Sequence, residues 1–160
     1  MGGEDDDQNT LDIVEVIDGN TDCKVNDFPI RLYMMSGING TICGGERKVS
    51  SYGALSSCWY LNPNGTWTPD KDILESRVLF SMNKVDDQIF VIGGRDPRTG
   101  SPDTGNNPSS IEKYSLVKDN GWSRMRDAPI WIYGHCTVLF NASNLFITGG
   151  HQHAHHYTPV

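Results

Sequence analysis

A short β-type run closed by two glycines recurs along the chain, and this recurrence limits the fold more than any other feature. It reads Thr41-Ile-Cys-Gly-Gly45, Ile89-Phe-Val-Ile-Gly-Gly94 and Leu145-Phe-Ile-Thr-Gly-Gly150, and the chain opens in the same phase with Met1-Gly2-Gly3. The first glycines of the pairs, Gly2, Gly44, Gly93 and Gly149, are separated by 42, 49 and 56 residues. A second marker fixes the register: Trp67 precedes Gly93 by 26 residues, and Trp122 precedes Gly149 by 27. Self-similarity at such a period is the mark of a repeat architecture, in which each unit buries its apolar face against the next. The extra length falls in Arg95–Ser110, a stretch rich in Gly, Pro, Asn, Asp and Ser, as expected of a loop insertion between fixed strands.

Each unit reads as four short strands. The first two form hairpins: Leu32–Ile38 turns at Asn39-Gly40 into Thr41–Cys43, Val78–Lys84 turns at Asp86-Asp87 into Gln88–Ile92, and Cys136–Phe140 turns through Asn141–Ser143 into Leu145–Thr148. Third strands are Val14–Ile17, Ser57–Leu61 and Ile111–Leu116, and fourth strands begin at Trp67 and Trp122. Val, Ile, Tyr, Phe and Leu dominate these runs, and none has the length or the 3.6 period of a helix. The fold class is therefore all-β.

The order of an apolar strand, Gly-Gly, a Tyr-bearing strand (Trp59-Tyr60, Tyr114), a Trp and then an Arg or His before the next strand resembles the kelch repeat. Arg77 takes the pre-strand Arg position, and Gly134-His135 the matching place one repeat later. The resemblance runs from Gly2 to Gly150; the first unit departs from it, with Cys23 where a Trp is expected. It implies a kelch-type β-propeller fragment of about three four-stranded blade-equivalents over residues 1–150, as half a blade, two full blades and half a blade, with 151–160 a His-rich tail. Gly44, Gly45, Gly93, Gly94, Gly149, Gly150, Trp67 and Trp122 are then structural: the glycines allow close approach and positive φ, and each Trp wedges an apolar body between blades. Because propellers have four or more blades, three equivalents imply a longer propeller or partner chains that complete the ring.

The formal net charge of −7 leaves no basic stripe for phosphate, which argues against nucleic acid and against an anionic membrane surface. The longest apolar runs are only four or five residues, so no membrane insertion is expected. No apolar leader is visible among residues 1–10, which favours the cytoplasm, while a truncated N-terminus would leave an extracellular location open. The cysteines at 23, 43, 58 and 136 form no CxxC motif; they read as small buried hydrophobes, or as a possible Cys43–Cys58 disulfide across one loop. The sequons at Asn39, Asn64 and Asn141 would suit secretion, but Asn-Gly turn chemistry accounts for the first two.

No zinc-protease motif, phosphate loop or nucleophile elbow is present, and no cofactor is expected. His151, His153, His155 and His156 read as a polar end rather than a metal site. The resemblance thus implies a non-enzymatic protein-binding scaffold, of substrate-adaptor or cytoskeletal type, whose partner is a protein or peptide or further blades. Its binding residues would stand in the loops after the diglycines: Arg47, Arg95, Asp96 and Arg98, with the arginines offering bidentate contacts to an acidic peptide. The alternative is a secreted, disulfide-bearing propeller that binds glycans or matrix. A galactose-oxidase-like copper enzyme ranks below both, since Cys58 and Tyr60 share a strand face without the geometry of that crosslink.

Overall fold

In a computed structural model the described residues are 13–16, 24–27, 36–46, 53–97, 110–118, 120–141 and 144–152. Every regular element among them is a β-strand apart from a single 3₁₀ residue at position 97, and none forms a helix long and apolar enough to cross a membrane. The strands form two complete four-stranded antiparallel sheets flanked by two hairpins. β1 (Ile13–Val16) pairs with β2 (Lys24–Asp27). β3 (Ser36–Ile38), β4 (Thr41–Cys43), β5 (Cys58–Leu61) and β6 (Trp67–Asp70) form the first full sheet in chain order. β7 (Ser81–Val85), β8 (Gln88–Ile92), β9 (Ser110–Ser115) and β10 (Trp122–Asp127) form the second. β11 (Ile132–Asn141) and β12 (Asn144–Gln152) make the last hairpin. Consecutive strands pair with their chain neighbours throughout, as in a propeller blade.

The hairpins turn where left-handed backbone is available, with φ of 55° at Asn39, 77° at Gly40 and 51° at Asp86. Val78 forms an isolated bridge to Arg95 before β7 begins at Ser81, so the Val78–Lys84 strand expected from sequence starts three residues late. Leu79 between them has φ of 55°, which a regular strand cannot accommodate. β11 and β12 are longer than expected, and β12 runs through His151 and Gln152, two residues into the segment assigned to the tail. Cys23, residues 32–35 and residues 153–160 lie outside the described residues.

The core lies between the sheets as well as within them. Cys43 and Cys58 of the first sheet cluster with Phe80, Met82, Ile89, Val91 and Trp122 of the second, together with Ile73 from the connection between them. The β3, β7 and β11 strands, each first in its sheet, lie side by side. Cys43 stands directly opposite Cys58, and the two are joined in a disulfide with Cα atoms 4.1 Å apart. In the second sheet the corresponding cross-strand pair is Ile92 and Ile111, so the bond takes the place of an aliphatic contact.

Sheet-to-sheet packing explains Gly44. A Cβ on Gly44, where φ is 65°, would lie 2.6 Å from the Arg77 carbonyl oxygen and 2.6 Å from the Phe80 ring. Trp122 is buried against this seam, its ring 5.5 Å from Tyr114, and its indole N–H donates to the Lys71 carbonyl of the preceding unit at 2.8 Å. The large apolar ring is buried while its one N–H is satisfied.

Candidate functional site

The residue after each diglycine reaches the same position relative to its sheet, placing Glu46, Arg95 and His151 in equivalent places. Arg95 is held by its backbone, which exchanges two hydrogen bonds with Val78 at 2.8 and 2.9 Å. Its guanidinium lies over the Tyr133 ring, 5.4 Å from the centroid, a cation–π contact. The other neighbours of Tyr133 are His151, stacked at 5.2 Å between centroids, and Trp131 at 5.6 Å. Trp131 is buried and donates its indole N–H to the Gly94 carbonyl at 3.2 Å. The residue after one diglycine, the end of β12 and the start of β11 with Trp131 before it therefore converge on one aromatic patch carrying the Arg95 guanidinium. A planar cation set on an aromatic ring is fixed in orientation, which suits it to a carboxylate.

The sequence singled out Arg95 and Asp96; Arg95 belongs to this patch, and Asp96 follows it in the chain and is half-buried. Arg47 and Arg98 lie outside the described residues. Tyr133, Trp131 and His151 were not anticipated as members of a site. The signal was available in the aromatic spacing of Trp131 and Tyr133 just before Gly134. Glu46, at the place equivalent to Arg95, is buried, and its Oε1 has no hydrogen-bond partner. Among the described residues no group of three or more His, Cys, Asp or Glu is placed to hold a metal ion.

A second charged constellation is structural. Arg77, with no exposed surface, donates to the Gly93 carbonyl at 2.7 Å, the Ser110 carbonyl at 3.1 Å, the Ser110 hydroxyl at 2.7 Å and the Glu112 carboxylate at 2.5 Å. Glu112, equally buried, also accepts the backbone N–H groups of Leu74 at 2.6 Å and Glu75 at 3.1 Å. Glu75 bridges Arg77 at 3.2 Å and Arg124 of β10 at 2.5 Å. Burial pushes the Arg77 pKa down, and Glu112 and Glu75 oppose that shift. This network ties the segment before β7 and the diglycine after β8 to β9 and β10.

The ladders correct one sequence assignment. Ser81 pairs with Ile92 and Cys136 with Thr148, each partner immediately preceding its diglycine. Counting back from these pairs, Ile132 and not Gly134-His135 stands in the place of Arg77, and His135 matches Phe80. The longer, differently aligned β11 hid this in the sequence.

Residues 76–127 match the Kelch motif, the span of the second full sheet. The chain is 32% identical over 103 residues to Kelch-like protein 26 of Danio rerio, a match covering 64% of this chain and 16% of that protein. It is 29% identical over 89 residues to Kelch-like protein 41 of Rattus norvegicus, covering 56% of this chain and 14% of that protein. The matched region is thus about one sixth of the length of these relatives. Its backbone resembles the solved structure of YjhT with a TM-score of 0.54 at 22% identity, covering 76% of this chain and 35% of that one.

Proposed function

Residues 76–127 carry the Kelch motif, and from that premise we propose that the chain is a non-enzymatic kelch-type scaffold which grips an acidic protein segment on the rim formed by the residues after its diglycines. The observation that carries this reading is the Arg95 guanidinium laid over Tyr133, beside His151 of the next diglycine. The guanidinium is pre-oriented, so less rotamer freedom is lost when it meets a carboxylate. The flanking aromatic surface offers apolar contact to the rest of an extended segment.

The test is selection of a displayed peptide library on the wild-type chain, followed by affinity measurement with Arg95→Glu and Tyr133→Ala. Enriched peptides should carry Asp or Glu, and each variant should weaken them by about tenfold or more. Peptides without acidic bias, or equal binding to Arg95→Glu, would remove the reading.

A second reading, a secreted propeller that binds glycans or matrix, is favoured by the Cys43–Cys58 bond. Disulfides persist in oxidising compartments. Mass spectrometry of the unreduced, alkylated protein from its native source separates the two. A linked Cys43–Cys58 peptide supports the secreted scaffold; two alkylated thiols support the cytoplasmic one.

A further inference from the structure

The two seams that flank the second full sheet are built to one plan and differ in one group. At the seam with the first sheet, the Phe80 ring fills the space that Gly44 leaves open and packs beneath Gly94, whose Cβ would meet the Phe80 Cβ at 2.8 Å. At the seam with the last hairpin, His135 occupies the same position. A Cβ on Gly93 would lie 2.9 Å from its Cε1, and one on Gly150 would lie 2.7 Å from its Cβ. The backbone contacts repeat as well: Gly45 donates to the Arg77 carbonyl at 3.2 Å, and Gly94 donates to the Ile132 carbonyl at 2.9 Å. The second seam adds a bond from the Gly134 N–H to the Leu79 carbonyl at 2.7 Å. One seam is closed by an apolar ring, the other by a titratable one.

His135 is 6% exposed. Its Nε2 shares a hydrogen bond of 3.0 Å with the Ser81 hydroxyl, while its Nδ1 is buried with no hydrogen-bond partner. A neutral imidazole can leave one nitrogen so placed. An imidazolium has two N–H donors and a charge, and this site provides neither an acceptor for the second donor nor a carboxylate. The titratable groups on the elements packed around it are Lys84 of β7, Arg95 and Asp96 after the Gly93–Gly94 pair, His151 of β12, and Tyr133 and Cys136 of β11 itself. Burial alone shifts the imidazole, so the one carboxylate among these does not compensate it.

We propose that the seam between the β7–β10 sheet and the β11–β12 hairpin is acid-labile, opened by protonation of His135, while the seam closed by Phe80 is indifferent to pH in the same range. The sign follows from linkage. Burial holds the folded imidazole below its ordinary value of about 6.5, so the opened state takes up the proton first. The seam is fully closed above pH of about 6.5 and loosens as pH falls below it. Ring shape and packing are close enough between the repeats for Phe80 to serve as a built-in control.

Hydrogen exchange of individual amides, corrected for intrinsic rates and compared at pH 7.5 and 5.5, reads the seams separately. Protection of Gly94 and Gly134 should fall by up to about tenfold, the ratio set by one pH unit below the free imidazole value, while Gly45 holds constant. His135→Phe should abolish the difference, and Phe80→His should transfer acid sensitivity to Gly45. If one variant fails to fold, the other still decides. Equal loss at both seams, no loss at Gly94 and Gly134, a response that survives His135→Phe, or a pH-insensitive Gly45 in Phe80→His would each overturn the proposal.

Discussion

At Gly44 a missing side chain lets two sheets meet, whereas at Gly149 it does less. Both have positive φ, 65° and 69°. A Cβ at Gly44 would run into the Arg77 carbonyl and the Phe80 ring, yet at Gly149 it would find nothing within 4 Å. Alanine at Gly149 should therefore cost only the left-handed backbone term, about 1 kcal/mol. At Gly44 the same change adds overpacking against backbone and should cost about 3 kcal/mol or more. Denaturant unfolding of the two variants checks the contrast, and equal losses would mean that the seam at Gly44 is not close-packed. The diglycines announced a close approach in the sequence; which glycine of which pair is crowded depends on the neighbouring sheet and was not legible. Glu112 was missed for a related reason. In sequence it is one charged residue in an alternating strand, and only its partner Arg77, 35 positions away, marks it as buried.

Among the elements, the sheet made by β7 to β10 is fastened from within by Arg77 and Glu112, and the first full sheet by the Cys43–Cys58 bond. A buried ion pair is poor evidence of net stabilisation, but breaking it from one side strands a charge in the interior. Arg77→Met or Glu112→Leu alone should each cost about 3–5 kcal/mol. The double variant, which removes both charges, should lose much less than the sum of the two, and thermal unfolding of the four proteins in the cycle measures that coupling. Simple additivity would show that the two side chains act independently. The strands themselves were largely readable: Thr41–Cys43 and Gln88–Ile92 match the expected bounds, and β6 and β10 begin at Trp67 and Trp122 as the markers indicated. Alternation and turn chemistry are local, so sequence carries them. The alignment of His135 with Phe80 is a matter of pairing register across a hairpin of altered length, which the order of motif residues does not carry.

For the whole molecule, the all-β class and its four-stranded antiparallel sheets were legible, since the diglycine runs and Trp67 and Trp122 mark strands that the sheets contain. The convergence of Arg95, Tyr133, Trp131 and His151 was not, because it joins segments whose distance in the chain says nothing of their distance in space. On the last hairpin Phe140 and Phe146 stack edge to face, 4.7 Å between centroids, and are 66% and 54% exposed, while Val91 inside the second full sheet is fully buried. The hydrogen bond from Trp122 to the Lys71 carbonyl has a further consequence, for the order of events in time. Strands pair with their chain neighbours, but this bond and the Ser81–His135 contact span 51 and 54 residues. Closing a longer loop costs more entropy before any contact rewards it. Ladders therefore form early and seams late, so a lesion at a seam acts chiefly by hastening unfolding and leaves the speed of folding almost untouched.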